Sequence, residues 1–130
     1  MKLRLDGNAL RLRLNQAEVA QFSKTGWLEE AIAFSAGASL TYGLESLSSL
    51  AAPRAVYQNG SLRIQLPCRM ATEWVTTERI GISAEQPLSD GKRLAILIEK
   101  DFKCVHSDHP DPDAYPNPLE KSGESVLSSE

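Results

Sequence analysis

The chain has 130 residues, a formal net charge of −3 and a sequence pI of about 5.4. That length suits one domain with one modest core, and that charge gives no general attraction to nucleic acid or to an anionic membrane. No apolar run approaches the roughly 20 residues of a membrane span, and the N-terminus lacks the apolar segment of a signal peptide, so the expected location is the cytoplasm.

Residues 2–14 alternate. Leu3 and Leu5 interleave with Lys2 and Arg4, and Leu10, Leu12 and Leu14 interleave with Arg11 and Arg13. A period of two predicts two strands with the leucines on one face and the cations on the other. Asp6-Gly7-Asn8 supplies the turn between them. At Asn15 the period changes. Asn15 is a good N-cap, and Glu18 can reach back to it as in a capping box. Val19 and Phe22 then share a helix face, and Gly26 can end the helix in a left-handed conformation. Leu28 to Phe34 and Leu40 to Glu45 read as two further strands turned by Ser35 to Ser39.

After a small, polar connector at 46–53 the organisation repeats. Ala55 to Tyr57 and Leu62 to Leu66 flank Asn59-Gly60, a strong hairpin signal. Pro67 can open a helix, and Met70, Ala71, Trp74 and Val75 give that helix an apolar side. Ile80 and Ile82 begin a strand, Asp90-Gly91 turns it, and Leu94 to Phe102 returns. At an offset of 52, Leu10 falls on Leu62, Arg11 on Arg63, Phe22 on Trp74 and Leu28 on Ile80. Two extra residues in the second turn then bring LTYGLE (40–45) onto LAILIE (94–99). Order of elements and turn positions agree, so we read the chain as an internal duplication.

Two strand-strand-helix-strand-strand units, 1–45 and 54–103, bury their apolar faces most simply in one shared core. The expected fold is α+β: about eight mostly antiparallel strands, curled into a barrel or half-barrel, with two helices. The 94–98 strand is apolar on both faces and should be central. The domain should span 1–103. Residues 104–130 are rich in proline, acid and serine, and their composition predicts a disordered acidic tail.

Two clusters could carry chemistry. Arg11, Arg13 and Arg63, with Lys2 and Arg4, lie on polar strand faces, and guanidinium groups suit phosphate and carboxylate. If that face turned inward it would make a basic tunnel for an anion, with Glu45 and Glu99, beside Glu30 and Glu85, able to hold a divalent metal. The plainer reading is a solvated face laced by Arg–Glu pairs. The discriminating observation is whether Arg11, Arg13 and Arg63 converge near Glu45 and Glu99. The second cluster is Cys104, His106, Asp108 and His109, all competent metal ligands in one short tract, although a structural zinc site would want partners elsewhere. Cys68 and Cys104 are too few for a disulfide framework and read as free thiols; a nucleophilic role would need a nearby base. No glycine loop for phosphate, Gly-x-Ser-x-Gly elbow or HExxH occurs, so no cofactor is expected.

As a set, LRLRLNQAEVAQF, LTYGLE, Glu73-Trp74, GKRLAILIEKDFKC and the PNP at 116–118 resemble a bacterial family of small single-domain proteins of unknown function. The resemblance covers residues 1 to about 118 and carries over no catalytic residue. The expected role is an interaction module, binding a protein partner or a second copy of itself through a sheet edge. Nucleic acid and membrane are not expected partners. The alternatives are an anion-binding protein or enzyme and a metal-binding tail.

Overall fold

The structure is a computed structural model that describes residues 1–102. Among these it holds eight strands and two helices in an α+β arrangement. A first hairpin pairs β1 (Lys2–Asp6) with β2 (Ala9–Leu14), and α1 (Gln16–Thr25) follows. Asn15 and Glu18 form the full reciprocal capping box, and Gly26 closes the helix at φ 81°. A second hairpin joins β3 (Trp27–Ser35) to β4 (Ala38–Leu47).

The second copy follows the same order. β5 (Arg54–Gln58) turns through Asn59 and Gly60, both at positive φ, into β6 (Ser61–Pro67). Then come α2 (Cys68–Thr76), β7 (Gly81–Pro87) and β8 (Arg93–Lys100). Pro67 caps α2 rather than occupying its first turn.

The halves do not form one sheet each. They exchange hairpins. β2 runs parallel to β8, giving one sheet in the order β1-β2-β8-β7; β4 runs parallel to β6, giving the other in the order β3-β4-β6-β5. The two parallel registers are equivalent. Leu12 lies beside Ile98 and Arg13 beside Glu99, just as Ile64 lies beside Leu44 and Gln65 beside Glu45. This is the expected internal duplication, with each half completed by the other.

One detail of the repeat differs from the sequence match. Ala33 opposes Ser39 and Pro87 opposes Arg93, so both hairpin turns have the same length. The two extra residues sit between α2 and β7. The structural counterpart of Leu28 is therefore Ile82, which is buried, while Ile80 is 56% exposed. The longer link has a chemical reason. Trp74 is fully buried, and its indole N–H donates to the Ile80 carbonyl at 3.0 Å. Phe22, the matching ring in α1, has no donor to satisfy, so a tight exit at Gly26 suffices. The two rings meet edge-to-face at 6.3 Å.

One core takes the inward faces of both sheets and the facing sides of both helices. It contains Leu10, Leu12 and Leu14 of β2, Leu44 of β4, Ile64 and Leu66 of β6, Ile82 of β7, Ile96 and Ile98 of β8, and the two rings. β8 is central, as its composition requires, but its outer residues Ala95 and Leu97 are only half-buried.

The sheets do not close into a barrel, which removes the closed form of the two that were expected. Where the edges of β5 and β7 approach, the side chain of Gln86 takes the place of a ladder. Its carbonyl accepts from the Ala55 N–H at 2.7 Å, and its amide donates to the Ala55 carbonyl at 3.2 Å. A side chain that satisfies both backbone groups of the facing strand removes the reason for that strand to pair. No helix among the described residues is long and apolar enough to cross a membrane.

Candidate functional site

Alternation places the arginines outside, because the leucines beside them take the core. The sheet exchange then separates them. Arg11 and Arg13 lie on the outer face of the β1-β2-β8-β7 sheet with Glu99; Arg63 lies on the outer face of the other sheet with Glu45. Arg13 Nε donates to Glu99 at 2.9 Å, and Arg11 Nε is 3.9 Å from the same oxygen. Lys2 and Asp101 approach to 3.1 Å. On the second face Arg63 stands 3.5 Å from Glu45 and 3.9 Å from Glu29. Gln65 replaces Arg13 there, donating to Glu45 and accepting from Arg54, both at 2.7 Å. The predicted residues thus form two equivalent cross-strand networks rather than one convergent cluster. Pairs of this kind on a wet sheet face contribute a few tenths of a kcal/mol each.

No group of three or more His, Cys, Asp or Glu that could hold a metal ion occurs among the described residues. Cys104, His106, Asp108 and His109 lie outside those residues. Cys68 is a free thiol and exposed, and its sulfur is 3.0 Å from the Ser46 hydroxyl.

Among the described residues the open sheets leave four edges, and sequence guards three of them. β1 carries Lys2, Arg4 and Asp6. β5 has only 5 residues and starts with Arg54. β7 holds Glu85, ends in Pro87 and is stitched to β5 through Gln86. Short strands, charges and proline are the usual devices against unwanted pairing at an edge. β3 is different. It has 9 residues, and from Ala31 to Ser35 it carries neither charge nor proline. Trp27, Ile32 and Phe34 on it are 53%, 45% and 69% exposed. The position matching Gln86 is Ile32, which has no polar group to offer the neighbouring edge.

The root of β3 is held firmly. The Met1 amine pairs with Glu18 and, at 3.2 Å, with Glu30; the Tyr42 hydroxyl donates to Glu30 at 3.0 Å. This cluster ties β1, α1, β3 and β4 together. Partial burial alone would lower the pKa of the amine, but its hydrogen bonds and charge interactions with Glu18 and Glu30 outweigh burial and raise it above 8.0. Burial would likewise raise Glu18, yet the amine and the Asn15 N–H hold it below 4.5. Burial, with the charge of Glu30, raises the Tyr42 phenol. Hence the first half of β3 is anchored, and the second half has no strand on its outer side among the described residues. Sequence reading found the strand but not its position at an edge. The signal was its uncharged second half beside the better-guarded β7.

A family model described as a family of unknown function matches residues 1–119. No curated protein and no solved structure matches the chain.

Proposed function

For a chain that belongs to DUF7009, a family of unknown function, we propose the role of an interaction module that pairs with a second copy through the free edge of β3. The observation that carries this reading is the unguarded stretch Ala31–Ser35, where Ile32 and Phe34 are exposed on a strand that lies at the edge of its sheet among the described residues. An extended apolar edge seeks another strand. Two identical edges running antiparallel about a twofold axis satisfy each other and close the assembly. Backbone hydrogen bonds supply the attraction, and the alternate side chains supply the selectivity. Glu29 and Glu30 at the root of the strand oppose any register that slides the two roots together.

The experiment is light scattering on protein eluted from a sizing column over a wide concentration range, with Ile32→Lys and Phe34→Ser beside the parent. A dimer that both substitutions disperse, with unchanged circular dichroism, is the expected result. A parent that stays monomeric at the highest concentration contradicts the proposal.

A further inference from the structure

A groove of about 520 Å³ crosses the outer face of the β1-β2-β8-β7 sheet. Two rows of side chains build it. One runs Arg4, Arg11, Leu97, Ser83; the next runs Asp6, Ala9, Ala95, Glu85. Its floor is therefore apolar at Leu97 and Ala95, and one wall is cationic.

That wall is built against local stability. Arg4 and Arg11 are directly opposed across an antiparallel pair, and like charges so placed repel. The neighbouring pair, Lys2 opposite Arg13, has the same fault, but Glu99 and Asp101 relieve it at 2.9 and 3.1 Å. Arg4 has no carboxylate within 4 Å among the described residues, and Arg11 only shares Glu99 at 3.9 Å. Of the two acids in the second row, Glu85 faces Arg93 at 3.4 Å, and Asp6 comes within 4 Å of neither arginine.

The duplicated half serves as an internal control. Its matching row is Val56, Arg63, Gly43, Glu29. There a valine replaces Arg4, two glutamates flank the single arginine, and a glycine replaces Leu97. The same scaffold accommodates a relieved version of the face. The charge pair and the apolar floor occur together on one copy only.

We propose that this groove binds a carboxylate that carries a short apolar body. Two adjacent guanidinium groups offer forked donors to the carboxylate, and Leu97 with Ala95 covers the body. Bare phosphate would leave the floor unused, and an uncharged alcohol would leave the arginines unrelieved. A free acid and an apolar chain terminus present the same chemistry. The groove lies on the sheet that does not contain β3, so its failure and that of the proposed dimer are separate events.

The test is amide chemical-shift titration of the full chain with hexanoate, hexan-1-ol, inorganic phosphate, and a peptide ending in leucine as free acid or amide. Arg4→Gln and Arg11→Gln are the variants, and Arg63→Gln is the control. Hexanoate should shift the amides of residues 9–11, 83–85 and 95–97. Loss of one charge-assisted contact should weaken it about tenfold in Arg4→Gln and in Arg11→Gln, and Arg63→Gln should bind as the parent does. Arg4→Gln without ligand should melt at or above the parent temperature, because a repulsion has gone; a lower melting temperature would overturn the argument from strain. Hexanoate binding no tighter than hexanol or phosphate, or unaffected by Arg4→Gln, would overturn the site. The peptide acid binding tighter than hexanoate, with its amide silent, would assign the carboxylate to a chain terminus; hexanoate binding at least as tightly would assign it to a small acid.

Discussion

Gly43 sits inside β4, where a glycine ordinarily weakens a strand. Its reason is the neighbouring backbone. A Cβ at this position would overlap the Leu28 carbonyl oxygen and crowd the Glu29 Cα at 3.2 Å. Both obstacles are main chain and cannot step aside. Gly43→Ala should therefore cost about 1–3 kcal/mol, read as a lower denaturant midpoint with an unchanged slope. Leu97, its counterpart in β8, has room for a full side chain, so the two central strands differ at equivalent positions.

Asn15 and Glu18 make a second residue-scale case. Removing the cap with Asn15→Ala should cost about 1 kcal/mol. The pH dependence follows from the two shifts at this cluster. The folded-state pKa of Glu18 is depressed, so its contribution is present above 4.5 and is lost as pH falls through the lower, folded value. That of the Met1 amine is raised, so its contribution is present below 8.0 and is lost as pH rises through the higher value. Denaturation followed from acid to alkaline pH should show a plateau between these limits. Glu18→Gln should lower that plateau and flatten both shoulders. Shoulders unchanged by the substitution would contradict the pairing.

At the scale of elements, Gln86 decides how the sheets meet. Its side chain satisfies both backbone groups of Ala55. Gln86→Leu would leave that donor and acceptor without partners and should cost about 1–3 kcal/mol, with faster amide exchange at Ala55 as the local sign. The helices show how a small sequence difference propagates. Trp74 requires an acceptor that Phe22 does not, and the link after α2 is longer by the two residues that bring Ile80 to it. From sequence alone those residues went into the wrong loop, because PLSDGK looks longer than SAGAS and hydrophobic matching cannot tell Ile80 from Ile82. The local signals, by contrast, were plain. Asn15 with Glu18, Gly26 and Asn59-Gly60 each specify one backbone geometry, and each produced it.

At the scale of the molecule, a repeat identifies equivalent elements but not their partners. The offset between LRLRL and LRIQL says that β2 and β6 play the same part. It does not say that β2 pairs with β8 and β6 with β4. For that reason the separation of Arg11 from Arg63 onto two outer faces was not legible. Nor was the openness of the sheets, which at the β5–β7 seam is accompanied by the Gln86 bonds to the Ala55 backbone. The exchange of hairpins has its own consequence. Within residues 1–47 the two hairpins belong to different sheets, and each lacks its parallel neighbour. A fragment of residues 1–52 should therefore lack tertiary structure alone and gain it when mixed with residues 53–130, a recovery visible in the near-ultraviolet signal of Trp74. A fragment that folds by itself would contradict the interlocked arrangement.

The edge of β3 bears most directly on the proposed role. Amide hydrogen exchange at Ala31–Ser35 reports whether its backbone groups acquire partners in solution. Protection there should rise with protein concentration while protection in β8 stays constant, and Ile32→Lys should abolish the rise. Exchange at Ala31–Ser35 that is fast at every concentration would contradict that role.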